Sequence, residues 1–310
     1  MRDDAPPILT IEKLKKRFGT VEALRGIDMT LAKPGVYGFL GPNGAGKTTT
    51  FKLVCGLLRP TGGRVMIGGV DVQSDAKQAV SKLGVLFDMP AYYPYLTGEE
   101  NLAVFSRWLG NSIGTRIGTL LNLVGLADTK KRKVGGYSWG MKRRLGIAAA
   151  LLSDPQLLLL DEPTSGLDPA GIADVRRLLP HLAWKEGRTI LLSSHRMEEV
   201  SQICDHITII HRGSITAAGT PEELSHAEPW IEIECSETER AAGILSELEG
   251  IKKLERTGSN SIRILAPELG AGEANSLLVE NGIQVRRVAE KRESLEEIFF
   301  RLTGITNDEQ

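Results

Sequence analysis

Gly41-Pro42-Asn43-Gly44-Ala45-Gly46-Lys47-Thr48 fits the spacing G-x-x-x-x-G-K-[ST], a loop that wraps phosphate groups. Average residue usage produces such a match in a chain of this length about 1% of the time. A glycine-rich surface turn is the plain alternative, and the flanks argue against it. Val36-Tyr37-Gly38-Phe39-Leu40 reads as a short apolar strand entering the loop, and Thr49 to Cys55 reads as a helix leaving it. The glycines let backbone N–H groups close on phosphate oxygens. The helix N-terminus adds its partial positive charge. In this arrangement Lys47 reaches the β- and γ-phosphates and the Thr48 hydroxyl holds Mg²⁺. Thr49, the next residue, is expected to bind nucleotide as well.

Working outward, apolar strand-like runs alternate with amphipathic helices through about residue 224. Ile8 to Ile11, Val36 to Leu40, Val85 to Phe87, Leu157 to Leu160, Thr189 to Leu192 and Ile207 to Ile210 read as buried strands, and Ala170 to Trp184 as a helix between two of them. That alternation predicts an α/β layered fold. Residues from about 98 to 152 carry helical patterns only and read as a helical insertion. After residue 225 the pattern becomes β-α-β-β-α-β plus a final helix at Ser294 to Leu302, compatible with a small ferredoxin-like module. The expected division is therefore 1–224 and 225–310.

Leu157-Leu158-Leu159-Leu160-Asp161-Glu162 is an apolar strand ending in two acids. Beside a phosphate loop those acids have jobs: Asp161 orients Mg²⁺ and Glu162 polarises an attacking water. Parallel sheets present ligands at the carboxyl ends of their strands, so the loop and the acids should meet at one edge. His195, after the strand Thr189 to Ser194, should reach the γ-phosphate at that same edge. Ser138-Trp139-Gly140-Met141-Lys142-Arg143-Arg144 opens another helix. A plain serine cap with a solvated basic face accounts for it without further chemistry.

The chain has 38 Lys and Arg against 39 Asp and Glu, a net charge of −1, which gives no footing for nucleic acid. Cys55, Cys204 and Cys235 are widely spaced and match no metal pattern, so reduced thiols are expected. No uncharged apolar run approaches the ~20 residues that cross a bilayer, and the first residues lack the apolar core of a signal peptide.

In this order the motifs resemble the ATP-binding subunits of ABC transporters. Gly41 to Thr48 resembles their Walker A loop and Leu157 to Glu162 their Walker B strand. Ser165-Gly166-Leu167-Asp168 resembles the D-loop, His195 the switch histidine, and Tyr137 to Met141 stands where the L-S-G-G-Q signature belongs. Phe18 falls where the family stacks an aromatic on adenine. The resemblance implies an ATPase with Mg²⁺ as cofactor. It also implies a head-to-tail pair of identical chains, with Ser138, Gly140 and Asp168 of one meeting the ATP held by Lys47 of the other. It implies integral membrane permease subunits as partners and a peripheral place on the cytoplasmic face of the cell membrane. Within the family, Tyr137 to Lys142 and the tail Glu293 to Gly304 resemble a subgroup of bacterial ABC-2-type exporters that includes bacitracin- and lantibiotic-resistance ATPases.

Three positions depart from the family pattern. Asp88 stands where the Q-loop glutamine would contact Mg²⁺ or water, Trp139 replaces the first signature glycine, and Met141 replaces the signature glutamine. Three of the five tyrosines cluster in Tyr92-Tyr93-Pro94-Tyr95 and are read as an exposed aromatic patch for the permease. A non-transporting ATP switch is the main alternative. Such relatives carry tandem ATPase domains or a long coiled coil between phosphate motifs, and the interval from Lys47 to Ser138 shows no sustained heptads. A small-molecule kinase has no use for the motifs at Tyr137 and Asp168.

Overall fold

The buried central strands form where apolar residues run in fours to sixes, and several helices open where a polar side chain caps a stretch of mixed residues. The computed structural model describes residues 6–87, 91–109, 114–129, 131–225, 230–248, 250–291 and 297–300. The chain divides into two units, Met1–Thr220 and Pro221–Gln310. The first unit begins β1 (Leu9–Phe18), β2 (Val21–Leu31), β3 (Gly35–Leu40), α1 (Lys47–Val54), β4 (Gly62–Ile67), β5 (Val70–Asp71), α2 (Ala76–Val80) and β6 (Leu83–Leu86). Three helices follow, α3 (Gly98–Trp108), α4 (Gly114–Leu123) and α5 (Trp139–Ala150). Alternation resumes with β7 (Leu157–Asp161), α6 (Pro169–Trp184), β8 (Thr189–Ser194), α7 (Met197–Ile203), β9 (His206–His211) and β10 (Ser214–Gly219).

Six strands form one sheet in the order β10-β9-β3-β8-β7-β6, parallel except for β10 at the edge. Parallel strands are covered on both faces, and Leu157 to Leu160 are accordingly all fully buried. Register sets the chemistry at the carboxyl edge. Asp161 pairs with Ser193, and Leu40 pairs with Ser194, so the strands carrying the loop, the acids and the histidine end side by side.

A second sheet in this unit, β2-β1-β4-β5, is antiparallel throughout. The sequence reading placed Ile8 to Ile11 in the α/β alternation; the strand is longer and belongs here instead. The reading also passed over β2 and β4. The reason is visible in the register, which slips between Ile11 and Leu14 and again between Lys16 and Arg17. Such bulges break the period of two by which a one-face-buried strand is read. The buried members Leu24, Ile27, Met29 and Leu31 pack with Phe39 and Phe51 in one core.

Several helices start at a side-chain cap. Thr97 and Glu100 form a reciprocal capping box at α3. Ser138 caps α5 by accepting from Met141 N at 3.2 Å. Asp168 caps α6, with Pro169 in its first turn.

The second unit holds α8 (Pro221–Ser225), β11 (Trp230–Cys235), α9 (Thr238–Ser246), β12 (Lys253–Arg256), β13 (Ser261–Leu265), α10 (Ala271–Glu280) and β14 (Val285–Lys291). Its antiparallel sheet runs β12-β13-β11-β14, the order of a ferredoxin-like module. Strand alternation turns Ile231, Ile233, Ile262 and Ile264 into a core with Ala241, Leu245 and Leu278 from the helices. Of the expected final helix, residues 297–300 are helical and the rest lies outside the described residues.

Candidate functional site

Helix α1 opens at Lys47 directly after Gly46, whose φ of 112° is a conformation that favours glycine. A Cβ there would also lie 2.8 Å from Leu24 Cδ2 and 2.9 Å from Ala23 O. No side chain caps this helix, so its first N–H groups are not claimed by a side chain and suit an anion. Lys47 is buried, and its Nζ donates to Gly41 O at 2.5 Å and Pro42 O at 3.2 Å. Burial pulls its pKa below the ordinary lysine value, and the nearby carboxylates of Glu162 and Asp161 oppose that fall. Pro42, Asn43, Gly44 and Ala45 form the turn between β3 and α1, with Gly44 at φ 79°.

Four groups converge on the end of β7. The Thr48 hydroxyl donates to Asp161 Oδ2 at 3.2 Å. Ser193, brought opposite by strand register, donates its hydroxyl to Asp161 Oδ1 at 2.5 Å and accepts from Glu162 N at 3.0 Å. Glu162 Oε1 lies 3.8 Å from Lys47 Nζ, and both of its carboxylate oxygens lie 3.0–3.1 Å from His195 Nδ1. The edge foreseen from sequence is thus assembled from β3, β7 and β8. A hydroxyl and a carboxylate side by side at a helix N-terminus are hard oxygen donors of the kind Mg²⁺ accepts.

Sequence reasoning missed three contributors. Ser193 ends an ordinary apolar strand, and only its register distinguishes it. Arg143, buried in α5, reaches the backbone carbonyls at the end of β7. Thr164 donates to the buried carboxylate of Glu199, which also pairs with Arg196 at 2.5 Å. A cavity of about 430 Å³ is bounded by Thr48, Lys52, Phe87, Trp139, Arg143, Asp161, Glu162 and Ser165.

The remaining expected residues are placed as follows. Ser138 and Asp168 act as helix caps, and Asp168 accepts from Gly171 N at 2.9 Å. Gly140 has room around it, since a Cβ would first meet Leu167 at 3.6 Å. Phe18 is half exposed at the end of β1, with Lys16 Nζ 4.8 Å from its ring centre. Thr49 lies in the first turn of α1. Asp88 lies outside the described residues. The tyrosine patch is smaller than expected. Tyr95 is exposed, but Tyr92 and Tyr93 are half-buried. Tyr92 donates its hydroxyl to Lys142 O at 2.9 Å and packs on Phe105. Buried Asn101 bonds the backbone of Tyr93 and Thr97 and folds the segment onto α3.

Residues 24–165 match the ABC transporter family. The bacitracin transport ATP-binding protein BcrA of Bacillus licheniformis is 37% identical over 96% of this chain and 97% of its own length. The daunorubicin resistance ATP-binding protein DrrA3 of Streptomyces coeruleorubidus is 38% identical over 97% of each chain. Among solved structures, the ADP conformation of MJ1267, an ATP-binding cassette of an ABC transporter, aligns with a TM-score of 0.64 at 28% identity. That alignment covers 70% of this chain and 92% of the other.

Proposed function

The chain belongs to the ATP-binding subunits of ABC transporters, and from that premise we propose that it powers export of a drug-like or peptide antibiotic through separate membrane subunits. It is an ATPase with the phosphate-loop fold of that family. Among the described residues no helix is long and apolar enough to cross a membrane. The channel is therefore assigned to permease partners, with this chain held peripherally on the cytoplasmic face. The bacitracin and daunorubicin names of its relatives support the cargo class.

One observation carries the mechanism: Glu162 sits against His195 and within 3.8 Å of Lys47, beside the Thr48–Asp161 pair. Lys47 and the α1 N-terminus hold the phosphates. Thr48 and Asp161 are the residues that would hold Mg²⁺, with Asp88 as a further ligand; the ion would neutralise charge on the phosphate oxygens. Glu162 accepts a proton from the attacking water, and His195 orients that carboxylate and faces the γ-phosphate. Phe18 stacks on the adenine. Ser138, Gly140 and Asp168 complete the site of a second copy in a head-to-tail pair. The exposure of Ser138 and the open space at Gly140 support that reading. The Tyr92 to Tyr95 segment, led by the exposed Tyr95, together with the exposed Trp108 forms the surface offered to the permease.

The test is Glu162→Gln examined by gel filtration with and without ATP. Retained ATP binding with a shift to the mass of two chains is expected. A monomer that still turns over ATP would remove Glu162 from its role.

A further inference from the structure

Arg143 is 2% exposed and lies one turn into α5, five positions after the capping Ser138. Its Nη2 donates to Asp161 O at 2.5 Å and also to Glu162 O, and its Nε reaches Pro163 O at 3.4 Å. A guanidinium carries five N–H donors in a fixed planar fork. Here that fork faces three consecutive main-chain carbonyls of the turn that presents Glu162.

That turn needs holding. Glu162 has a φ of 49°, a left-handed conformation that a residue with a side chain rarely adopts. Such a backbone persists only where its surroundings over-determine it. Both ends of the residue are pinned: Glu162 N donates to Ser193 Oγ at 3.0 Å, and Glu162 O accepts from Arg143. Trp139, four positions earlier on the same face of α5, donates its Nε1 to Ser165 O at 3.1 Å. One helix face therefore grips the carbonyls of residues 161, 162, 163 and 165. A buried cation is costly unless fully hydrogen-bonded, and an apolar side chain of similar length would fill the same space. The carbonyl contacts account for a cation at this position.

We propose that Arg143 is a positioning residue for ATP hydrolysis, fixing the backbone of Glu162 so that its carboxylate stays between His195 and Lys47. The inference rests on the reading of Glu162 as the group that polarises water. Arg143 acts through Glu162, and its loss leaves the phosphate-binding loop intact.

The experiment is a double-mutant cycle on the full chain, with Arg143→Met and Glu162→Gln alone and together. Single-turnover hydrolysis of radiolabelled ATP gives the rates, and a fluorescent nucleotide gives the Kd. Arg143→Met is expected to leave nucleotide Kd within about twofold and to slow hydrolysis on the order of 100-fold, the effect of a displacement of about 1 Å at a catalytic group. In the Glu162→Gln background it should cost nothing further. An equal loss in both backgrounds, unchanged hydrolysis in Arg143→Met, or a loss confined to Kd would each overturn the proposal. Should Arg143→Met lack the folded circular dichroism spectrum, Arg143→Lys decides. It keeps the charge but not the fork, so a roughly 10-fold slowing with unchanged Kd is expected, and wild-type hydrolysis would refute the role. Wild-type hydrolysis in Glu162→Gln alone would instead sink the underlying reading of Glu162, which separates the two failures.

Discussion

In the first unit Lys47, Asn101, Arg143, Ser193 and Glu199 are buried, each tied to carbonyls, hydroxyls or an opposite charge. In the second unit the buried positions are aliphatic, small or aromatic residues and cysteine, with Thr238 the one buried polar residue among those described. Its ion pairs lie at exposed or half-buried positions instead; on the strands Arg263 meets Glu255 at 2.6 Å and Lys291 meets Glu232 at 3.3 Å. Polar burial costs stability unless every group finds a partner. In the first unit Lys47, Arg143 and Ser193 incur that cost at the carboxyl edge of the parallel sheet, and among the described residues the second unit gathers no such set of buried polar groups. Substitutions inside the first unit should therefore appear in nucleotide turnover, and those inside the second in stability.

The largest expected effect sharpens the first half of that contrast. Glu162→Gln should slow ATP hydrolysis by about 10²- to 10⁴-fold with its melting temperature nearly unchanged, since a general base contributes a factor of that size. Steady-state phosphate release beside a thermal melt measures both. Lys47→Ala follows, with ATP affinity falling on the order of 100-fold through loss of charge-assisted bonds, as read by isothermal titration. Full affinity would break the assignment of the phosphate loop.

The other half is tested by Ile264→Ala. This side chain is fully buried in the second core, and its truncation should cost about 2–5 kcal/mol in denaturant unfolding while nucleotide Kd stays put. A matching loss of ATP affinity would show that the second unit supports the site after all. The smallest effect belongs to Glu255→Gln. The Lys253 ammonium, followed by the Arg263 guanidinium, holds the Glu255 carboxyl below the ordinary value of 4.5. A depressed carboxylate contributes stability above its unfolded pKa and loses it as pH falls through the folded value. The substitution should therefore lower stability by less than ~1 kcal/mol at neutral pH, and the difference should shrink as pH falls below the ordinary carboxylate value and vanish once pH passes below the depressed folded one. Urea midpoints taken across pH check the sign.

The candidate site was legible where its residues follow one another in contiguous motifs at strand ends. Gly41 to Thr48, Leu157 to Glu162 and His195 each announce a strand end followed by chemistry, and parallel pairing alone brings them together. The antiparallel sheet was not legible, because the bulges in β1 destroy the period by which strands are read. How much of the aromatic segment is exposed was not legible, because nothing local distinguishes a tyrosine held by Asn101 or Lys142 from one left in solvent.

Lys142, Arg143 and Arg144 put the limit most sharply. The sequence by itself determined that a helix starts at Ser138 and that three cations follow. Helical phase turns successive side chains by about 100°, so only one of the three can point at the β7 edge. Which one does so depends on how α5 lies against a turn about 20 residues further along. Packing chose Arg143 for the interior and left Lys142 and Arg144 half-buried, a choice made by long-range contacts that no local pattern encodes.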